Sequence, residues 1–197
     1  MDTAPSRAPT KKELTHARIL DAAARAIRRD GFERVSVADV MKEAGLTHGG
    51  FYAHFASREA MLAEALARAG SIGAANLARN VEGRQSQGAS ALRAIIESYL
   101  SEAHLAGIER GCSVAALASE MPRQPDELRD ASQRRVQALI ERVREALPDP
   151  RDTARAMVIA GTLVGALQLA RVLGANAKGK AMLAAAREAL LAEHAAD

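Results

Sequence analysis

Tryptophan is absent from this chain, and cysteine occurs once, as Cys112. A single cysteine excludes an intrachain disulfide and fits a reducing compartment, so a cytoplasmic location is expected. Aromatic residues make up 3% of the chain against 48% hydrophobic residues in all. The core must therefore be built from Ala, Leu, Val and Ile, and abundant alanine with few β-branched runs predicts helix throughout. Met1–Thr10 is polar and contains proline, without the apolar centre of a signal peptide. The longest apolar stretch, Ala156–Leu167, is too short to span a bilayer, and no membrane partner is expected. The five histidines (His16, His48, His54, His104, His194) are scattered, with no pair at metal-ligand spacing beside carboxylates. No glycine-rich phosphate loop follows a strand, and no strand is read. Neither a metal nor a cofactor is expected. Charge of one sign is also scarce: a net +3 does not establish nucleic-acid binding, so local placement has to decide.

The chain is organised around Val37–Phe55, VADVMKEAGLTHGGFYAHF. Val37, Val40, Met41 and Ala44 fall on one face of a short helix. Ser36 precedes them as N-cap, with Asp39 in a capping-box position. Gly45 follows as a left-handed stop over which Leu46 folds back towards Met41. Thr47 is placed to cap a second helix, with Leu46 and Phe51 at the staple positions. Phe51 and Phe55 then point inward, leaving His48, Gly49, Tyr52 and His54 outward. Two short helices joined this way place the second in a DNA major groove. Gly49 and Gly50 allow close backbone approach, a helix N-terminus favours phosphate, and Thr47, Tyr52 and His54 are neutral donors suited to phosphate oxygens. The same pattern also fits a helical hairpin in an ordinary core, with plain turn glycines.

Ile19–Leu62 resembles the DNA-binding domain of the tetracycline-repressor (TetR) family of transcriptional regulators. The carrying residues are ILDAA at Ile19–Ala23, DGF at Asp30–Phe32, VSVADV at Val35–Val40 and AGLTHGGFYAHFASREAML at Ala44–Leu62. The resemblance implies phosphate contacts for Thr47, Tyr52 and His54, and places His48 and Gly49 near bases. Many family members carry Lys at the positions of His48 and Arg58. Arg58, at the first turn of the next helix, holds either a phosphate or a neighbouring Glu.

Arg7, Lys11, Lys12, His16 and Arg18 make the approach to the first helix basic. This arm either follows phosphates or is a solvated tail. The first helix is predicted over Lys11–Arg29, with Leu20, Ala23, Ala24 and Ile27 inward, Gly31 as stop, and Arg25, Arg28 and Arg29 on a solvated face. Ser57 caps the next helix, with Met61, Leu62, Ala65 and Leu66 on one side. The resemblance implies that its tilt carries ligand occupancy to the head. Asn80–Gly88 reads as a loop. A helix follows with Leu92, Ile95, Ile96, Tyr99, Leu100 and Ala103 as its stripe. Gly107–Gly111 breaks it, a short helix fits Ser113–Met121, and another fits Asp126–Leu147 with Val136, Leu139, Ile140, Val143 and Leu147 inward. Asp149-Pro150 starts a helix running to about Leu173 that is apolar on most sides. A last helix fits Lys180–His194. These two pair with their copies in a homodimer through about 150–195, or else are buried in one monomeric core. The family resemblance implies the dimer, and two heads on a twofold axis would read a near-palindromic operator in double-stranded DNA.

The expected fold is all-α: a disordered basic arm over 1–12, a three-helix helix-turn-helix head over 13–56, and a helical ligand-binding and dimerisation body over 57–197. Tyr99, His104, Gly111-Cys112, Ala115-Ala116 and Glu120 resemble a pattern in the C-terminal domain of some TetR-like regulators. A pocket for an apolar or aromatic inducer is expected between the Leu92–Ala103, Ser113–Met121 and Val136–Leu147 helices, with Tyr99, His104 and Met121 as contacts. Cys112, beside Arg110 and ahead of a helix start, is either an electrophile or redox sensor or a small buried hydrophobe. One Cys with His104 eight residues before it also admits a thiol-dependent enzyme or carrier, although no orienting acid is evident. The leading expectation is a non-enzymatic, ligand-responsive repressor.

Overall fold

The computed structural model describes residues 7–194. The expected disorder of Met1–Thr10 lies, for its first six residues, outside the described residues. Helix α1 (Lys11–Asp30) opens on Thr10, whose hydroxyl accepts from the Glu13 amide while the Glu13 carboxylate accepts from the Thr10 amide. This reciprocal capping box satisfies two free donors and starts the helix at Lys11, as predicted, so the last two residues of the arm expected over 1–12 are helical. Gly31, at φ 80°, ends α1 with its amide on the Ile27 carbonyl. A side chain is strained at that backbone angle, which is why glycine serves as the stop.

The buried face of α1 is Ile19, Ala22, Ala23, Ala24, Ala26, Ile27 and Arg28. Leu20, expected inward, is only partly buried. Arg28, expected on a solvated face, is 3% exposed. It follows Ala24 by four residues, on the same inner stripe, and its long side chain crosses the core to reach carbonyls. Arg25 and Arg29 do lie at the surface, paired with Glu43.

Helix α2 (Val37–Glu43) and a 3-10 segment (His48–Ala53) complete the head, and α3 (Arg58–Gln85) leads into the body. Ser57 caps α3 by accepting from the Ala60 amide. The expected loop at Asn80–Gly88 is instead mostly helix. Polar side chains do not stop a helix whose end is anchored: Val81 is buried, and Arg84 reaches Ser98 and Glu97.

The body continues through α4 (Ala91–Tyr99), α5 (Glu102–Ala106), α6 (Ser113–Leu117), α7 (Asp126–Glu145), α8 (Thr153–Leu173) and α9 (Ala177–His194). The single helix expected through Ala103 breaks at Leu100, whose φ and ψ are −92° and 40°. Ser101 then caps α5, and Ala103 is exposed. The short helix ends at Leu117 rather than Met121, and Pro122 lies in a 3-10 turn, Met121–Arg123. Val136 is exposed while Leu139, Val143 and Leu147 are buried. Helix α8 is capped by Asp152, not started by Asp149-Pro150, because the Asp149 carboxylate is held by Arg151.

Two apolar clusters organise the molecule. The head cluster gathers α1, α2, Phe51, Phe55 and the first half of α3, and also takes in Leu117, Met121, Leu128 and Ala131 from the body. The body cluster joins α4, α7, α8 and α9 around Tyr99, Ile159, Leu163 and Leu167. Helix α8 has 21 residues and contains an 18-residue stretch of mean hydropathy 1.8, so by length and composition it is long and apolar enough to cross a membrane, although Ala156–Leu167 alone is too short. Its inner residues Ile159, Leu163 and Leu167 are nevertheless fully buried in this chain's own core.

Candidate nucleic-acid interface and body cleft

The turn after α2 forms as its residues predict. Gly45 has φ 68°, its amide bonds the Lys42 carbonyl, and the Leu46 amide bonds Met41. That 5→2 and 6→1 pair closes the end of α2. At its start, Ser36 accepts from the Asp39 amide at 3.1 Å, but the Asp39 carboxylate is taken by the Ser36 hydroxyl, so the expected reciprocal box is not formed.

The segment after the turn departs from expectation. His48–Ala53 winds as a tight 3-10 helix, and Thr47 at its N-cap position makes no side-chain cap bond. Two consecutive glycines lower the propensity for a regular α-helix. The consequence is a free Thr47 hydroxyl on an exposed rim. Phe51 and Phe55 are buried and stack at 5.5 Å, anchoring the segment from beneath. Tyr52 is 73% exposed, His48 and Gly49 are exposed, and a Cβ added at Gly49 would meet nothing within 4 Å. Thr47, His48, Gly49 and Tyr52 thus share one open surface.

His54 and Arg58 are only partly exposed. His54 is half-buried with Nδ1 enclosed and unbonded. Burial, followed by the charges of His16 and Lys12, lowers its pKa. His16 stacks on Phe55 at 4.5 Å and bonds Glu64 at 2.9 Å. Arg58 donates to the carbonyls of Val35 (3.0 Å) and Phe32, bracing the loop between α1 and α2. Arg18 similarly holds the Ala44 carbonyl. Lys11 and Lys12 are exposed on the first turn of α1.

Behind the head, Arg28 donates to Ala24 O (2.9 Å), Ala69 O (3.2 Å) and Gly111 O (3.2 Å), leaving one terminal nitrogen unpartnered. It ties α1 to α3 and to the segment after α5. Burial lowers its pKa to about 10. Two further links run parallel. Glu120 accepts from the Phe32 amide at 3.0 Å, and Arg29 bonds Glu109 at 3.1 Å.

The Gly111 strut forms one wall of a body cleft of about 490 Å³ between α3, α4–α5, the 107–114 segment and α7. Of the three expected contacts, Tyr99 and His104 line it and Met121 does not; Cys112 lines it as well. Met121 follows a turn that carries it into the head cluster. The cleft also lies against α3, a wall sequence reasoning missed. The signal is in the glycines: a Cβ at Gly73 would stand 2.8 Å from the Gly111 carbonyl oxygen, so glycine allows α3 to approach that segment.

His104 is fixed on both sides. Its Nε2 accepts from the Cys112 amide (3.0 Å), which makes Nδ1 the protonated nitrogen, donating to Tyr99 O (2.8 Å). Burial lowers its pKa to about 4. Its backbone carbonyl accepts from Arg171, and its ring meets Tyr99 edge-on at 4.8 Å. Neither ring nitrogen is free to take a proton from the Cys112 thiol. Tyr99 is 1% exposed with its hydroxyl unbonded, and burial, then the neighbouring Cys112, raises its pKa well above the usual tyrosine range.

Residues 19–65 match the family model described as bacterial regulatory proteins, tetR family, and residues 88–186 match the tetracyclin repressor-like C-terminal domain. The uncharacterized HTH-type transcriptional regulator YfiR of Bacillus subtilis (strain 168) is 36% identical over 91 residues, 46% of this chain and 42% of that protein. The match thus spans less than half of that relative's length. Among solved structures, a TetR-family regulator from Agrobacterium tumefaciens aligns with TM-score 0.75 and 21% identity over 93% of this chain and 99% of that one. A TetR regulator from Legionella pneumophila gives 0.74 and 20% over 96% and 100%. Reduced NemR of E. coli gives 0.69 and 22% over 88% and 95%.

Proposed function

The chain belongs to the tetR family of bacterial regulatory proteins, and from that premise we propose that it is a cytoplasmic repressor that leaves a palindromic operator when a small molecule enters its body cleft. The observation that carries the DNA-binding part is the open rim of Thr47, His48, Gly49 and Tyr52 over the buried Phe51–Phe55 anchor. In this reading Thr47 and Tyr52 bond phosphates, and His48 and Gly49 face base edges. Lys11 and Lys12 supply positive charge beside them. Arg58 braces the loop between α1 and α2 behind them.

The protein acts as a homodimer through α8 and α9. Met157, Val158, Leu169 and Val172 are exposed on α8, with Gly161 opening onto empty space along the same helix. Large apolar side chains repeated on one exposed helix are the usual mark of an interface. The head is coupled to the cleft through Arg28, because its Gly111 partner is part of the cleft wall. An inducer shifts the head only insofar as it binds the released arrangement better than the DNA-bound one. The alternatives of Cys112 as an electrophile or redox sensor, or as the nucleophile of a thiol-dependent enzyme or carrier, are not favoured, since the neighbouring His104 is engaged at both nitrogens.

The test is fluorescence anisotropy of the purified protein with DNA from upstream of its own gene, followed by genome-wide DNA capture. Selective, salt-sensitive binding that a Thr47→Ala, Tyr52→Phe variant loses is the expected result. Equal, weak binding to all duplexes, with nothing selective captured, overturns the regulator reading.

A further inference from the structure

We infer that the body cleft is built to hold an organic anion, a molecule with an apolar body and one carboxylate, sulfonate or phosphate group. This rests on reading the cleft as the inducer site, and it names the ligand class. Arg79, Arg110, Arg135 and Arg142 all line the cleft, and among the described residues no Asp or Glu does. None of the four has a carboxylate partner among the described residues: Arg79 bonds the Asn76 amide oxygen, and the other three guanidiniums have no hydrogen-bond partner. Elsewhere many arginines are neutralised, as in the pairs Arg68–Asp21, Arg84–Glu97 and Arg144–Glu141.

The positive excess continues beneath the wall. Arg28 and Arg171 lie on the Gly111 and His104 backbone and are held by carbonyls, not carboxylates, with nitrogens left unbonded in both. An anion in the cleft is the missing counter-charge, and a guanidinium fork suits its planar or trigonal oxygens.

The position of Arg135 is sterically prepared. A Cβ on Gly70 would stand 2.4 Å from Arg135 Cδ, so the glycine on α3 makes room for its stem along the cleft. The remaining lining is apolar around Leu77, Ala74, Val114 and Leu139 and neutral polar at Asn76, Asn80, Ser98 and Ser113, with the buried, unbonded Tyr99 hydroxyl as a further donor. Apolar walls, a few neutral polar groups and a set of uncompensated arginines match an amphiphilic anion and disfavour a cation, which would meet like charge without a carboxylate to hold it.

The experiment is equilibrium dialysis of the full chain with two probes of the same body, anilinonaphthalene sulfonate and the neutral N-phenylnaphthylamine. The sulfonate is expected to bind at least about tenfold tighter, a difference of about 1.4 kcal/mol. Arg135→Gln, Arg142→Gln should abolish that preference and leave the neutral probe unchanged, whereas Arg135→Lys, Arg142→Lys should retain most of it. Arg134→Gln, which removes an exposed charge outside the cleft, should have no effect. If the double glutamine variant unfolds, Arg110→Gln alone should lower the preference several-fold. Equal affinity for the two probes overturns the inference, as does a preference that survives the glutamine variants. Binding of neither probe up to millimolar concentration overturns the inference together with the inducer site, while the DNA-binding head stands or falls on the anisotropy experiment.

Discussion

Arg28 and His104 are each polar and held by backbone carbonyls or amides, Arg28 where the head meets the cleft and His104 in the cleft wall. Substituting Arg28→Met keeps the apolar stem but removes the donors to Ala69 O and Gly111 O. It is expected to cost about 3 kcal/mol in urea unfolding, the scale of buried polar groups left without partners. His104 sets a pH dependence. Its folded pKa of about 4 lies below the unfolded value of 6.5, so the unfolded chain binds more protons between those limits. Stability is fully present above about pH 6.5 and falls as pH drops towards 4, by about 3 kcal/mol from this residue alone. His54, also lowered, adds in the same direction. Urea midpoints at pH 7 and pH 4.5 should show this loss, and His104→Gln should flatten it. Neither role was fully legible in the sequence. Tyr99, His104 and Cys112 could be grouped by their resemblance to a pattern in some TetR-like C-terminal domains, but Arg28 reads as one more arginine in a basic helix end. Only the position four residues after Ala24, on the inner stripe, hints otherwise.

Element boundaries were legible wherever the chain carries its own stop. Gly31, Gly45 and Ser57 each end or begin a helix as their chemistry dictates. Boundaries set by distant contacts were not. Helix α3 runs on through a polar stretch because Arg84 is anchored on α4, and α4 ends at an ordinary leucine. The 3-10 winding after Thr47 also escaped, as did the half-burial of His54, although Phe51 inward and His48, Gly49 and Tyr52 outward did not. Gly49→Ala tests that segment cleanly. The added methyl meets open space, so stability should change by less than about 0.5 kcal/mol. Affinity for operator should nevertheless fall at least about tenfold, because the methyl projects where DNA backbone or base edges approach. Unchanged DNA affinity would remove Gly49 from the interface. On α8, Val158→Glu and Leu169→Glu should leave a folded monomer by sedimentation equilibrium, with operator binding lost as a result. A dimer that persists would place the interface elsewhere.

At the scale of the whole molecule, an all-α head on a helical body was readable from composition and from the Val37–Phe55 pattern, and the cleft was expected between roughly the right helices. What composition does not reveal is how the two parts share material. Leu117, Met121, Leu128 and Ala131 lie beyond α3 in sequence yet belong to the same apolar cluster as the buried residues of α1, α2 and α3. Met121 was expected in the cleft for that reason, since nothing local to it points back to residues so far upstream. The head is therefore not a cassette. Joined to the body of another regulator, it would keep its rim and lose part of the cluster that α1 and α3 share with the body. A working chimera must carry a matching α6–α7 corner with it, so the specificity of such a protein is transplanted by its underside as much as by the residues that touch DNA.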